Sequence, residues 1–151
     1  MNTQLSLLKS SILFTFAVFT AAFVGCGGDN VHVSGKVTFS DDNSPLTAGV
    51  VNFESASHNA RGDVKPDGTF VIGTLKENDG LPRGNYRVSI TRARKSIGKD
   101  EGGDDIFEPL IDEKYALGHT SGITMDVTSS MKNVEIKVER YDPAKKQKDI
   151  P

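Results

Sequence analysis

The sequence predicts an all-β fold, an antiparallel sandwich of seven short strands. Three observations predict it. From Val31 onward apolar residues recur with a period of two rather than 3.6. Turn clusters of Gly, Pro, Asp and Asn separate the apolar runs at short intervals. No amphipathic pattern long enough for a helix follows residue 25. The 151 residues fit one domain, and a formal charge of −2, from 18 Lys and Arg against 20 Asp and Glu, excludes a nucleic-acid binder that works by bulk basicity. One cysteine excludes an intramolecular disulfide and a four-thiolate zinc site.

Residues 1–25 stand apart. A polar start with one cation, Lys9, leads into an apolar run from Ile12 to Val24 that only Thr15 and Thr20 interrupt. The run is shorter than the roughly 20 apolar residues a spanning helix needs. It has the length of the apolar region of a secretory signal. It ends in Phe23-Val24-Gly25-Cys26-Gly27-Gly28-Asp29, which resembles the bacterial lipoprotein signal, where a small residue precedes a cysteine that is lipidated before cleavage. The resemblance implies cleavage between Gly25 and Cys26, palmitate-type acylation of Cys26, and anchoring to a membrane of the cell envelope through the N-terminal lipid. The domain would then lie outside the cytoplasm, and Gly27 after Cys26 points to the outer membrane rather than the inner one. Acyl chains contribute about 0.8 kcal/mol per buried CH₂, so several on one residue hold a domain firmly. Cleavage would leave 126 residues with 17 basic and 20 acidic side chains, and would remove four of the eight phenylalanines. Residues 26–30 then read as a lipidated, flexible tether.

The first strand sets Val31, Val33, Val37 and Phe39 inward and His32, Ser34, Lys36 and Thr38 outward. Gly35 falls on the inward set, where a missing side chain predicts a bulge or a close backbone approach. After the turn cluster Asp41–Pro45, a second strand over 50–54 turns Val51 and Phe53 inward. A third covers about 60–65, and Pro66-Asp67-Gly68 predicts a tight hairpin turn into a fourth at 69–72. Leu81-Pro82-Arg83-Gly84 is the next turn, launching a strand over 86–90. The last two strands are read at 123–127 and 134–139, and residues 141–151 as a polar, solvated tail.

Four segments form a pattern: Val33-Ser34-Gly35-Lys36-Val37, Ser44-Pro45-Leu46-Thr47-Ala48-Gly49-Val50, Asp67-Gly68-Thr69-Phe70, and Pro82-Arg83-Gly84-Asn85-Tyr86. Together they resemble the carboxypeptidase-regulatory-like, or transthyretin-like, domain over residues 31–91. The segment Leu110–Tyr115 and the strand after Thr120 are similar to small bacterial lipoproteins with that domain, with Asp112 where those relatives often carry Pro. The resemblance implies a seven-stranded Ig-like, prealbumin-like sandwich over 31–140 and a non-catalytic accessory role.

The constellations of related enzymes are not met. Transthyretin-like hydrolases end in Tyr-Arg-Gly-Ser, whereas this chain runs through Glu139-Arg140-Tyr141-Asp142 to Pro151. An internal Lys–Asn cross-link between Lys36 and Asn133 would need a buried acid where Ile90 stands. His32, His58 and His119 lack the spacing of a zinc peptidase and read as surface residues. No Gly-x-Ser-x-Gly elbow occurs, and Gly102-Gly103 has no strand-to-helix turn around it to make a phosphate loop. No enzyme activity, cofactor or metal is expected.

The long connection from Arg92 to Gly122 carries the functional expectation, because loops beyond about 15 residues are uncommon unless functional or disordered. It reads as a basic stretch (Arg92 to Lys99), an acidic Gly-rich stretch (Asp100 to Asp105) and an apolar stretch (Ile106 to Ile111) expected to pack back on the sandwich. Lys99, Asp100, Glu101, Asp104 and Asp105 are the candidate partner-binding residues. Carboxylates with Gly can hold Ca²⁺, but the spacing does not fit an EF-hand loop. The partner is expected to be an envelope protein or glycan, with no nucleic acid. The alternative is a purely structural envelope lipoprotein with no specific ligand.

Overall fold

The computed structural model describes residues 30–146; the expected signal and the lipidation residues Gly25 and Cys26 lie outside the described residues. The fold is all-β. In chain order the strands are β1 Val33–Phe39, β2 Val50–Glu54, β3 Asn59–Asp63, β4 Thr69–Val71, β5 Gly84–Thr91, β6 Arg94–Lys99, β7 Asp105–Pro109, β8 Ile123–Val127 and β9 Met131–Val138. A single 3-10 turn, Glu113–Ala116, and a four-residue helix α1, Pro143–Lys146, complete the described residues. No helix among them is long and apolar enough to cross a membrane.

The seven expected strands are present, but the described residues hold nine. Three form one sheet in the order β4-β1-β9, four form another in the order β3-β2-β5-β8, and β6 pairs with β7 in a separate ribbon. The pairings are antiparallel except one: β1 runs parallel to β9, Val33 opposite Met131 and Phe39 opposite Val138. This corrects the all-antiparallel expectation. Tight turns force antiparallel neighbours, whereas β1 and β9 are separated by nearly the whole domain and no hairpin dictates their direction.

The inward residues of the two larger sheets form one cluster. Val33, Val37, Phe70, Ile136 and Val138 from the first sheet meet Val51, Phe53, Tyr86, Val88, Ile90 and Val127 from the second, all buried. The period-two reading of β1 holds for Val31, Val33, Val37 and Phe39. It fails at Thr38, expected outward, which is buried with its hydroxyl unpartnered among the described residues. Lys36 and Asn133 are both exposed, and Lys36 sits opposite Thr69 and Glu135.

Gly35 meets both expectations attached to it. A Cβ built there would lie 2.1 Å from the carbonyl oxygen of Val134, so the two backbones touch where a side chain would stand. The β1–β9 register shifts at the same place: Val33 pairs with Met131 but Gly35 with Val134. The extra β9 residue is absorbed by Asn133, held in the left-handed region at φ 59°, which Asn tolerates better than most residues. That bulge hid the first residues of β9, which begins at Met131 and not Val134, because it breaks the alternation.

The Asp67-Gly68 turn closes as expected, with Gly68 N–H donating to Lys65 O and Lys65 N–H to Thr69 O, both at 2.8 Å. The hairpin expectation is corrected beyond that point. β3 continues on β2 and β4 on β1, so the turn carries the chain from one sheet to the other. Only Arg61 and Gly73 still exchange backbone hydrogen bonds, each 2.9 Å.

Two features fix the ends of this body. At one end the chain enters as Val31 pairs with Leu81, close to the start of β5 and, through Gly84 opposite Val127, the end of β8. At the other end lie Thr91, opposite Val50, and the last residues of β9, tied by the Ile111–Arg140 bridge. The eight residues of β5 separate the two ends by roughly 23 Å.

The segment 141–145 is solvent-exposed from Asp142 to Lys145, as expected of a solvated tail, but is also held to the body. Tyr141 N–H donates to Leu110 O at 3.1 Å, and Lys145 reaches Glu139 at 2.9 Å. Glu139 also takes Lys114 at 2.6 Å, and the paired ammonium groups of Lys114 and Lys145 hold its carboxyl down at about 2. Because the folded value is depressed, the stabilisation is present above the unfolded carboxylate range near 4.5. It is lost as pH falls from there toward 2. The pairs are more than one-third exposed, so solvent screening keeps their contribution small. Glu139→Gln is expected to lower the melting temperature at pH 7 and to leave wild type and variant closer together at pH 3. A constant gap at both pH values would refute it.

Candidate functional site

The connection expected as a loop from Arg92 to Gly122 contains a β-ribbon. Nothing in its periodicity signals it, because every residue of β6 is exposed and no apolar face is buried. The signal lies in charge. Across the ribbon Lys95 faces Glu108, ion-paired at 2.8 Å, and Lys99 faces Asp105 at 3.9 Å. Such opposite-charge cross-strand pairs each add a few tenths of a kcal/mol. The Gly-rich segment between them supplies the turn. The register slips between Ser96 and Gly98, which leaves Ile97 as the extra residue of a bulge.

The structure brings the expected residues Lys99, Asp100, Glu101, Asp104 and Asp105 together at the ribbon tip. Their polar groups largely serve the turn. Asp100 Oδ1 accepts from the Gly102 and Asp104 N–H groups, each at 2.9 Å, and Lys99 Nζ donates to Gly103 O at 3.1 Å. Among the described residues no group of three His, Cys, Asp or Glu is arranged to hold a metal ion. His32, His58 and His119 are exposed and scattered over separate segments.

The apolar stretch after Asp105 divides. Ile111 is buried and Leu110 half-buried, as expected, but Ile106 and Phe107 do not pack on the sheets: they are 43% and 44% exposed, with Ile97 at 57%. Phe107 is covered on one side by the Arg94 guanidinium, 4.1 Å above the ring centre. The correction has a simple reason. Arg94 opposite Pro109 and Leu110 N–H bonded to Ala93 O at 2.9 Å fix the ribbon by its base, so residues beyond the base project from the body.

At that base is a cavity of about 400 Å³, walled by Ile90, Ala93, Phe107, Pro109, Ile111 and Ala116, with Arg92, Arg94, Asp112 and Glu113 at its rim. Arg92 holds φ at +56°, the one bulky side chain among the described residues with positive φ outside glycine and asparagine. That conformation costs about 1 kcal/mol. Asp112 caps the 3-10 turn by accepting the Lys114 N–H at 3.0 Å, and so starts the turn where relatives were expected to use Pro. The turn in turn buries Tyr115, whose hydroxyl accepts the Glu139 N–H at 3.2 Å. The 3-10 turn, whose Glu113 and Ala116 line the cavity, is thereby tied to the chain just after β9.

Sequence reasoning located the tip and the apolar stretch beneath it, but not the exposure of Ile106 and Phe107. A second cluster escaped it too: Arg140 lies 3.7 Å over the Phe39 ring and donates to Asp41, Asp42 and Ser44, each at 2.8 Å. The Asp42 carboxyl sits at about 2, held there first by Ser44 and then by Arg140. These contacts close the turn after β1.

No family model matches the chain, and no curated protein matches it. Among solved structures, a 9R-lipoxygenase from Cyanothece PCC8801 is similar at 16% identity and a TM-score of 0.37, over 76% of this chain. The chain spans 18% of that lipoxygenase, and so low a TM-score carries no argument about fold or activity.

Proposed function

We propose that this chain is a membrane-anchored, non-catalytic lipoprotein of the cell envelope, built on a seven-stranded Ig-like sandwich, that contacts a protein partner through its β6–β7 ribbon. Cys26 carries the lipid, and the domain faces away from the cytoplasm. The observation that carries the reading is the ribbon itself. It projects Ile97, Ile106 and Phe107 at the end of the domain opposite the point where the chain enters. A two-stranded ribbon is marginal in water when nothing covers it. Exposed apolar side chains rimmed by charge are the composition of an interface rather than of an inert surface.

The partner segment that fits brings an apolar side chain to the cavity and an acidic group to Arg92 and Arg94, whose guanidinium groups form no ion pair among the described residues. A glycan is disfavoured, since stacking on sugars uses aromatic platforms and the ribbon offers one Phe.

A photoreactive side chain at position 97 is expected to give a discrete protein adduct in intact cells. Phe107→Asp is expected to remove that adduct without lowering the melting temperature. Absence of any adduct at 97 and 106 would favour the purely structural reading instead.

A further inference from the structure

The chain enters the fold against one particular turn. Asn30 Nδ2 donates to Asp79 O at 3.1 Å, Val31 N–H donates to Leu81 O at 2.9 Å, and the space beside Gly80 is filled by Val31 O. The turn ahead of Gly80 is built around the Asp79 carboxylate. It accepts the N–H groups of Thr74, Leu75 and Lys76 at 2.5, 2.9 and 3.0 Å, and these bonds hold its pKa below the usual carboxylate range. Thr74 adds a hydroxyl bond to Gly80 O at 2.7 Å. A turn held by so many bonds presents its outermost side chain in a fixed direction. That side chain is Leu75, 90% exposed, the most exposed large hydrophobic residue among those described.

A lone surface leucine needs no explanation. This one stands beside the tether. Cys26 precedes Asn30 by four residues, which span at most about 14 Å when fully extended. A lipid on Cys26 therefore keeps the bilayer surface within about that distance of Asn30, which is itself bonded to the turn. Around Leu75 the exposed cations are Arg61, Lys65 and Lys76; the acids are Asp63, Glu77, which lies 4.0 Å from Lys65, and the half-buried Asp79. Lys132, after the Ser130 hydroxyl that takes the His32 N–H at 3.1 Å, adds a cation at the same end.

From this placement we infer that the Thr74–Asp79 turn is a membrane-contact pad. Leu75 enters the boundary between headgroups and acyl chains of the same bilayer that holds the lipid on Cys26. Lys76 and Arg61 meet anionic headgroups. The inference rests on the anchoring reading above. It gives the domain a fixed orientation and directs the β6–β7 ribbon away from the membrane.

The chain has no Trp, so Leu75→Trp and Ile97→Trp each introduce a single fluorophore. Each full-length variant is recovered from membranes and reconstituted in mixed phosphatidylethanolamine and phosphatidylglycerol vesicles, with and without bromine on the acyl chains. Trp at position 75 is expected to emit at shorter wavelength and to lose about half its emission to the brominated lipid, as a group seated at the interface would. Trp at position 97 is expected to show neither change. Equal quenching at the two positions, or none at 75 with Cys26 shown by mass spectrometry to be acylated, overturns the pad. A free Cys26 thiol overturns the anchoring reading and the pad with it, and the mass measurement separates that failure from the other.

Discussion

Gly35→Ala is expected to destabilise the domain by about 3 kcal/mol or more, a large part of the 5–15 kcal/mol that holds a typical domain together. The added methyl would stand 2.1 Å from the Val134 carbonyl oxygen and 2.8 Å from its carbonyl carbon. Those are backbone atoms, so no rotamer change relieves the clash. Relief requires β1 and β9 to part, and β1 is the central strand of its sheet. Parting them would expose Val33, Val37, Ile136 and Val138, all now buried. Gly102→Ala is the matched control. Its methyl would meet only the Asp100 carboxylate, at 3.3 Å on an exposed turn. The control is expected within about 0.5 kcal/mol of wild type. Urea denaturation followed by circular dichroism reads both, and a wild-type midpoint for Gly35→Ala would refute the close approach.

Tyr86→Ala is expected to cost about 3–5 kcal/mol, the range for emptying an aromatic site in a core. The ring is 2% exposed and packs on Phe53 with centroids 6.0 Å apart and planes tilted by 60°. Burial also pushes the phenol's pKa up, the sign of a hydroxyl with little water around it. That hydroxyl donates to Pro82 O at 2.7 Å, tying the strand back to the turn that launches it. Tyr86→Phe keeps the ring and removes only the hydroxyl's hydrogen bonding, to Pro82 O and with Ser55, so its expected cost is about 1 kcal/mol. The difference between the two variants separates packing from hydrogen bonding. If Tyr86→Phe proves as damaging as Tyr86→Ala, the hydroxyl and not the ring secures the turn.

Much of the fold was legible because one face of each strand is buried. Val51 and Phe53, or Val33 and Val37, announce their face by alternation alone. The ribbon was illegible for the complementary reason. Lys95, Ile97 and Ile106 are exposed and Glu108 only half-buried, so among the described residues no apolar face of the ribbon is covered to set a pattern. The parallel pairing of β1 and β9 was also hidden, since periodicity reports which side of a strand is covered and says nothing of its neighbour's direction. At the candidate site the acidic tip was readable from composition. The cavity below it was not, because Ile90 of β5, Phe107 and Ile111 of the apolar stretch, and Ala116 of the 3-10 turn come from three segments that only the folded chain brings together. The attachment of segment 141–145 escaped for a similar reason: its partners, Leu110, Asp112 and Glu139, lie on other elements.

The pairing of β1 with β9 also bears on when the domain can form. His32 and Ser130 meet across 98 residues of sequence, and the rest of β1 meets β9 at similar separation. A sheet whose central strand waits for a partner at the far end of the chain has high contact order, and such topologies fold slowly. Until Met131–Val138 is available, β1 lacks one of its two neighbours and the core lacks Ile136 and Val138. Premature closure during synthesis is thereby disfavoured. In the anchored reading proposed above, in which an export signal leads the chain, that delay would keep the polypeptide threadable until its last strand has been made.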